Sequence, residues 1–476
     1  MTLAPTPAMT VTDARRSAAL KLIAPPLACA AADRIRPWAQ DPRYWQYRCQ
    51  PVLLLGGSRE DNLFQIADLE AHLDLLASCG GNFLRNTMSD RDGGDEHAWQ
   101  RLPDGRYDLT QWNPAYWQRF AHFLQLTAER DIIVQIEVWD RFDWSCQPWL
   151  AHPVNPANAA SAQPREAGLA QVYPEHPGID VQPFFHSVPG CTRYEPQLDP
   201  LRRLQEAFVD EMLRHSLPYG HVLYCMDNET SSAPAWGQYW MAHIRRRAVE
   251  ASVQVCVTDM FDDAWKPQES PSFAGVLASP QVYDFVEISQ VNSRNFGAEH
   301  WQRIVWVCQQ AHANEPRPVN HTKIYSDGCT SFGSGTPQDG IERFWRNLLA
   351  GSAAVRFHRP TSGLGLSPLA QACMRSARLV HRVMPFWSLR PDEALAPGGV
   401  EANRAYAARD PQHRVVVFLP RGQPQELAWP QAGAVHVDWI AIATGARVGA
   451  QTIQAKGVIQ LQPPLSGPCV AMVRRV

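Results

Sequence analysis

The 476-residue chain contains no stretch approaching the roughly 20 consecutive apolar residues of a membrane span. Charge of one sign is also missing: 44 Lys and Arg stand against 47 Asp and Glu, and a net charge of -3 offers no basic field to nucleic acid. The 11 cysteines are scattered singly from Cys29 to Cys469, with no C-x-x-C pair and no histidine at zinc spacing, so they read mostly as buried thiols. Gly56-Gly57-Ser58 lacks the Lys-Ser/Thr of a phosphate loop and reads as a tight strand-end turn, which implies no nucleotide. The absence of a Gly-x-Ser-x-Gly elbow disfavours a serine hydrolase. Asp140, Asp143, Asp259, Asp262 and Asp263 lack the fixed spacing of a calcium loop, so neither a metal nor another cofactor is expected.

What the chain has in quantity is 17 Trp and 39 Pro, and both suit a carbohydrate site: indole faces stack on sugar rings, and prolines mark long ordered loops. Eight short apolar runs alternate with amphipathic segments, and each run ends in a polar cluster. They are Val52 to Leu55, Asn82 to Leu84, Ile132 to Val138, Val222 to Met226, Val253 to Val257, Phe285 to Ile288, Val319 to Ile324 and Ala353 to Phe357. The intervening apolar spacings, such as Phe120, Phe123, Leu124 and Ala128, cover one helix face. The expected fold is therefore α/β: a (β/α)8 TIM barrel over residues 35–395, with its active site at the C-terminal strand ends. From about Ala396 short strands separated by Gly and Pro turns replace this pattern, and residues 396–476 read as a small β-sandwich. The Pro- and aromatic-rich insertion from Ser145 to Pro200 is expected to fold over the cavity. Residues 1–34 form a leader, read as disordered or as a degenerate export signal; the protein would be periplasmic or secreted in the second case and cytoplasmic otherwise.

The run His221 to Met226 ends abruptly in Asp227-Asn228-Glu229. With Asn228-Glu229 closing the fourth strand, the chain resembles the large clan of (β/α)8-barrel glycoside hydrolases that place an acid/base Glu there. The C-terminal module resembles the small sandwich named for collagen binding that often follows apiosidase-like barrels. The resemblance implies a glycosidase, a carbohydrate substrate and no nucleic-acid partner. Glu229 is the expected general acid, recessed among aromatic side chains that would raise its pKa. Asp227, two residues away on a regular strand, shares its face and is the alternative acid. Asp259, then Asp140, are the expected bases, with Glu287 and Asp327 as further carboxylates. Asn228, Arg85, Asn86, Trp139, Glu137, Glu287, Gln290, Asn292, Lys323, Tyr325, His358 and Arg359, all at or near strand ends, are the expected substrate contacts.

The clan usually carries a nucleophilic Glu at the end of strand seven, where this sequence has Lys323. A lysine cannot form the usual glycosyl ester, so three explanations stay open. The partner carboxylate comes from another strand; the chemistry has changed, for instance to a lyase in which Lys323 or His358 abstracts a proton from a uronide; or the protein binds sugar without cleaving it, as a noncatalytic carbohydrate-binding or scaffold protein.

Overall fold

The computed structural model describes residues 33–173, 181–326 and 333–476. The leader, apart from its last two residues, and Asp327 lie outside the described residues. Eight parallel strands form one sheet: β1 (Leu54–Gly57), β2 (Phe83–Thr87), β3 (Ile133–Asp140), β4 (Val222–Asn228), β5 (Val257–Thr258), β6 (Val286–Glu287), β7 (Val319–Ile324) and β8 (Ala354–Phe357). Their order runs β5-β4-β3-β2-β1-β8-β7-β6. The gap between the two shortest strands is bridged by Asp284 N donating to Val257 O at 2.9 Å and Thr258 Oγ1 donating to Phe285 O at 2.6 Å. The barrel is thus closed, and all eight expected runs supply its strands.

Each strand is followed by a helix: α1 (Leu69–Ser78), α2 (Pro114–Glu129), α3 (Asp199–Ser216), α4 (Pro234–Glu250), α5 (Pro271–Ala278), α6 (Gly297–Ala313), α7 (Pro337–Ala350) and α8 (Pro368–Val383). Proline stands at the first or second position of six of them, where a missing N–H costs no helical hydrogen bond. α7 shows the local logic most fully. Thr336 and Asp339 form a reciprocal capping box at its start, and Gly351, at φ +107°, ends it in the left-handed region that glycine tolerates. No helix among the described residues is long and apolar enough to cross a membrane.

The barrel interior is polar. Trp45, on the antiparallel strand Asp41–Tyr47 that precedes the barrel, is fully buried and donates Nε1 to Asn320 Oδ1 at 2.9 Å. Asn320 Nδ2 donates to Gln135 Oε1 and Gln135 Nε2 to Glu287 Oε2, each at 3.2 Å. Buried amides and carboxylates survive here because each finds a partner.

Six antiparallel strands complete the chain: β9 (Arg390–Pro391), β10 (Tyr406–Arg409), β11 (Val415–Leu419), β12 (Gln425–Ala441), β13 (Ala446–Leu461) and β14 (Cys469–Arg475), in the order β9-β10-β11-β14-β12-β13. The sheet thus begins at Arg390, before the Ala396 boundary read from sequence. Alternation along β11 sends Val416 and Phe418 into the barrel core and Val415, Val417 and Leu419 into the module's own core. Leu427 and Trp429 meet Val435, Val437 and Trp439 in that second core across a register break in β12, which gives the sandwich its two layers. Phe418 stacks on Trp345 of α7 at 5.9 Å between centroids.

Candidate active site

β4 ends with a break in alternation. Asn228 is its last residue, and Glu229 adopts φ +57°, a left-handed conformation uncommon for a glutamate. Asn228 and Glu229 therefore face the same cavity, although neighbours on a regular strand would point to opposite sides. The cavity, of about 850 Å³, opens at the C-terminal strand ends.

Glu229 is gripped from three directions. Lys323 donates Nζ to its Oε1 at 2.5 Å, Tyr325 donates Oη to the same oxygen at 2.8 Å, and Arg141 NH2 lies 3.7 Å from Oε2. Lys323 also donates to Asn228 Oδ1 at 2.6 Å. Its side chain is 1% exposed, so the ammonium meets Glu229 almost without water. Burial alone would raise the Glu229 carboxyl, but the Lys323 and Arg141 charges outweigh it and hold the group well below the usual carboxylate range. The expected upward shift is thereby reversed: at neutral pH Glu229 is an anion. Burial and the Glu229 charge push Tyr325 well above an ordinary phenol, so it keeps its proton.

A second anion lies on the same cavity. Asp61, in the loop after β1, pairs with Arg85, lies 3.5 Å from His358 Nδ1 and 3.3 Å from Arg359 Nε, and is held well below its ordinary range by the Arg85 and Arg359 charges despite burial. His358 is pushed well below the usual imidazole value, chiefly by burial, and is neutral. Phe142 forms part of the wall, with the Arg141 and Arg91 guanidiniums 5.1 and 5.9 Å from its ring centroid.

Of the residues expected from sequence, Asn228, Glu229, Gln290, Lys323, Tyr325, His358 and Arg359 line this cavity together. Arg85 lies just below, joining Asp61 to Glu137 through a 2.6 Å bond from Nε to Oε2. Glu137 and Glu287 belong to the polar barrel interior and not to the cavity wall, and burial pushes Glu137 up to about 7. Asp140 is also beneath the wall, accepting from Asn228 Nδ2 at 3.0 Å and pairing with Arg91 at 2.7 Å.

Five residues expected at the site stand elsewhere. Trp139 is no sugar platform: its ring packs among Phe184, Phe208, Trp236 and Trp240 of the helix layer. Asn86 faces outward, accepting from Phe64 N at 3.2 Å and holding the turn before α1. Asn292 is spent behind β7, donating to Lys323 O at 3.0 Å and accepting from Asn347 Nδ2 at 2.9 Å. Asp227 and Asp259 lie behind the sheet: a Cβ placed on Gly237 of α4 would come within 2.0 Å of Asp259 Oδ2, and Asp259 Oδ1 accepts from Asp227 N at 3.2 Å. Among the described residues of the Ser145–Pro200 insertion, Ser145, Cys146 and Pro148 reach the cavity, whereas Phe184 packs against Trp139 and Trp236, and Trp149 against His152.

Burial drives Asp227 well above the ordinary carboxylate range and Asp259 up to about 7. An acid raised in this way favours the fold while it is neutral; the contribution is complete below the unfolded value near 4 and disappears as pH rises through about 7. Thermal unfolding should therefore show a melting temperature that falls between about pH 4 and 7, and Asp259→Asn should flatten that fall. A variant as pH-sensitive as the wild type would assign the fall to other groups.

The sequence reading passed over Asp61, Arg91 and Trp265, which also line the cavity. Asp61 follows the Gly-Gly-Ser turn closely enough to have been found, whereas Trp265 and Arg91 carry no local signal. Arg141 is also on the wall, as is Asp262, which enters the sequence reading only among the calcium candidates.

No family model matches the chain, and no curated protein matches it. Solved structures do. A glycoside hydrolase family 5 protein from Bacteroides vulgatus superposes with a TM-score of 0.59 at 12% identity, over 94% of each chain. A protein described as a glycoside hydrolase gives 0.60 at 12% identity, over 93% of this chain and 97% of its own. A further glycoside hydrolase candidate from Bacteroides vulgatus gives 0.58 at 10% identity, over 94% and 84%. The shared feature is the fold. It includes the C-terminal module as well as the barrel, given the length covered.

Proposed function

We propose that this protein is a glycoside hydrolase that binds a carbohydrate in the cavity above β4 and β7 and cleaves a glycosidic bond with Glu229 as its ionised carboxylate. The observation that carries the reading is the placement of Glu229: strained at φ +57°, open to the cavity, and fixed by Lys323, Tyr325 and Arg141. An anion so held suits the base or nucleophile of glycoside hydrolysis and not the proton donor. The glycosidase fold of the neighbours supports the same reading without establishing it.

A second reading, a carbohydrate-binding protein without catalysis, is favoured by the Glu229–Lys323 pair itself, which neutralises one carboxylate and puts no second one at the end of β7. Sugar release by the purified full-length protein from a panel of plant and microbial polysaccharides separates the two. Release of reducing sugar is the expected result. Binding to one polysaccharide, seen by affinity electrophoresis, with no release from any would replace the first reading by the second.

A further inference from the structure

Besides the neutral His358, the cavity wall carries five basic side chains, and four of them are spent on protein carboxylates. Arg91 pairs with Asp140 at 2.7 Å and Asp143 at 2.8 Å, Arg141 with Asp262 at 3.2 Å, Lys323 with Glu229 at 2.5 Å, and Arg359 with Asp61 at 3.3 Å. The fifth, Arg294, makes no ion pair among the described residues; its guanidinium lies over the indole of Trp265, with Cζ 5.2 Å from the ring centroid. We infer that Arg294 is a subsite for an anionic substituent on a sugar, a carboxylate or a sulfate ester, so that the substrate class is an acidic glycan. The inference rests on the carbohydrate reading of the cavity.

The surrounding loops are built to hold this cation. Arg294 stands at φ +58°, and with Cys146 at +52° and Glu229 at +57° it is one of three left-handed non-glycine residues on this one cavity. Such strain persists only where the surroundings fix it, and it collects at functional sites. Here the backbone is fixed from two sides. Arg294 N donates to Gly333 O at 3.0 Å, and a Cβ on Gly333 would come within 2.9 Å of Arg294 Cγ, so the glycine leaves the side chain its place. Next in sequence, the buried Asn295 donates Nδ2 to Trp265 O at 2.8 Å, which ties the loop after β6 to the loop after β5 beside the indole. Asn295 O in turn accepts from Nη2 of the buried Arg343 at 3.0 Å.

A guanidinium held by an aromatic ring keeps its charge and its N–H donors for a ligand, and its planar fork matches two oxygens of an oxyanion. Because it is positioned in advance, less of the interaction is lost to ordering on binding. Asp262 and Asp263 on the same wall make the field mixed in sign, so the anion is met at Arg294 itself and not by the cavity as a whole. Lys266, with Nζ 5.0 Å from the Trp265 centroid, is paired with Glu269 at 3.1 Å and lies off the wall, which makes it the control for charge near the indole.

The test sets wild type, Arg294→Gln, Arg294→Lys and Lys266→Gln against matched glycans: glucuronoxylan and pectin before and after reduction of their carboxyls, and carrageenan and fucoidan before and after desulfation. Binding is read by affinity electrophoresis and hydrolysis by release of reducing sugar. At least one acidic glycan should bind at least ~10-fold more tightly than its neutral counterpart, and the preference should shrink as NaCl rises from about 0.05 to 0.5 M. Arg294→Gln should erase the preference by raising Kd or KM for the acidic form alone, with kcat and the neutral form unchanged. Arg294→Lys, which keeps the charge, should recover part of it, and Lys266→Gln should behave as wild type. The carboxylate and sulfate pairs show which oxyanion the subsite takes. No preference for any acidic form, or a preference that Arg294→Gln leaves intact or that Lys266→Gln loses equally, would overturn the assignment. Release from neutral glycans alone would overturn it too while sparing the hydrolase reading, whereas Arg294-dependent binding of an acidic glycan with no release would uphold it and fail the hydrolase reading.

Discussion

Lys323→Met loses about 3–5 kcal/mol of folding stability, the cost typical of removing one partner from a buried ion pair. The replacement fills similar volume, so the loss comes from charge and not from a cavity. Glu229 is left with Tyr325 at 2.8 Å and a distant Arg141 at 3.7 Å to support its charge. Without the ammonium, burial dominates and the Glu229 carboxyl moves upward. Its neutral form, available at low pH, then tolerates the site better than its anion. The deficit relative to wild type should consequently be smaller at pH 4 than at pH 8 in chemical denaturation. Glu229→Gln added to Lys323→Met should restore part of the stability, because it removes the stranded anion. A deficit independent of pH would show that packing, and not the ion pair, is what the lysine supplies.

Glu229→Gln should abolish hydrolysis, lowering kcat/KM by at least ~10³-fold, or about 4 kcal/mol of transition-state stabilisation. Gln keeps the size and the hydrogen-bonding oxygen that Tyr325 reaches, but it cannot take a proton from water. A base is needed whatever the leaving group, so the loss should be as large on dinitrophenyl glycosides as on methyl glycosides. The variant leaves Lys323, 1% exposed, with Asn228 as its remaining bonded partner, so its melting temperature must be measured beside its activity. Full activity in a folded Glu229→Gln protein would move the base elsewhere, and Asp61 is then the carboxylate to substitute next.

The fold was legible because its signals are additive and local. Runs such as Val319 to Ile324 and helix faces such as that of Phe120 and Phe123 repeat eight times, and the observed strands and helices fall on them. The site was legible only to the level of which strand ends contribute. Which side chains turn inward depends on backbone details that spacing does not encode. Alternation predicts that Asp227 and Glu229 share a face, and the positive φ at Glu229 defeats the prediction by sending Asn228 and Glu229 to the cavity together. Trp139 looked like a sugar platform because indoles serve that purpose, yet the aromatic cluster around Trp236 and Trp240 claims it. The direction of the Glu229 shift was misread for a related reason: burial was foreseen, but the reach of Lys323 and Arg141 across the barrel is a tertiary fact.

The C-terminal sheet spends both of its faces. Phe418, Val416, Ile440, Ile442, Val470 and Met472 are built into the same apolar mass as α7 and the barrel. Arg346 of α7, fully buried, reaches Tyr406 Oη at 3.2 Å and Asn403 Oδ1 at 3.3 Å, so that face is sealed by polar contacts as well. An appendage that drifts on a tether and samples distant glycan needs an interface it can release, and none of these contacts is of that kind. The module is better regarded as the outer wall of the barrel. A gene truncated ahead of it would yield a barrel with Trp345 bared to water, a candidate for aggregation instead of a minimal enzyme.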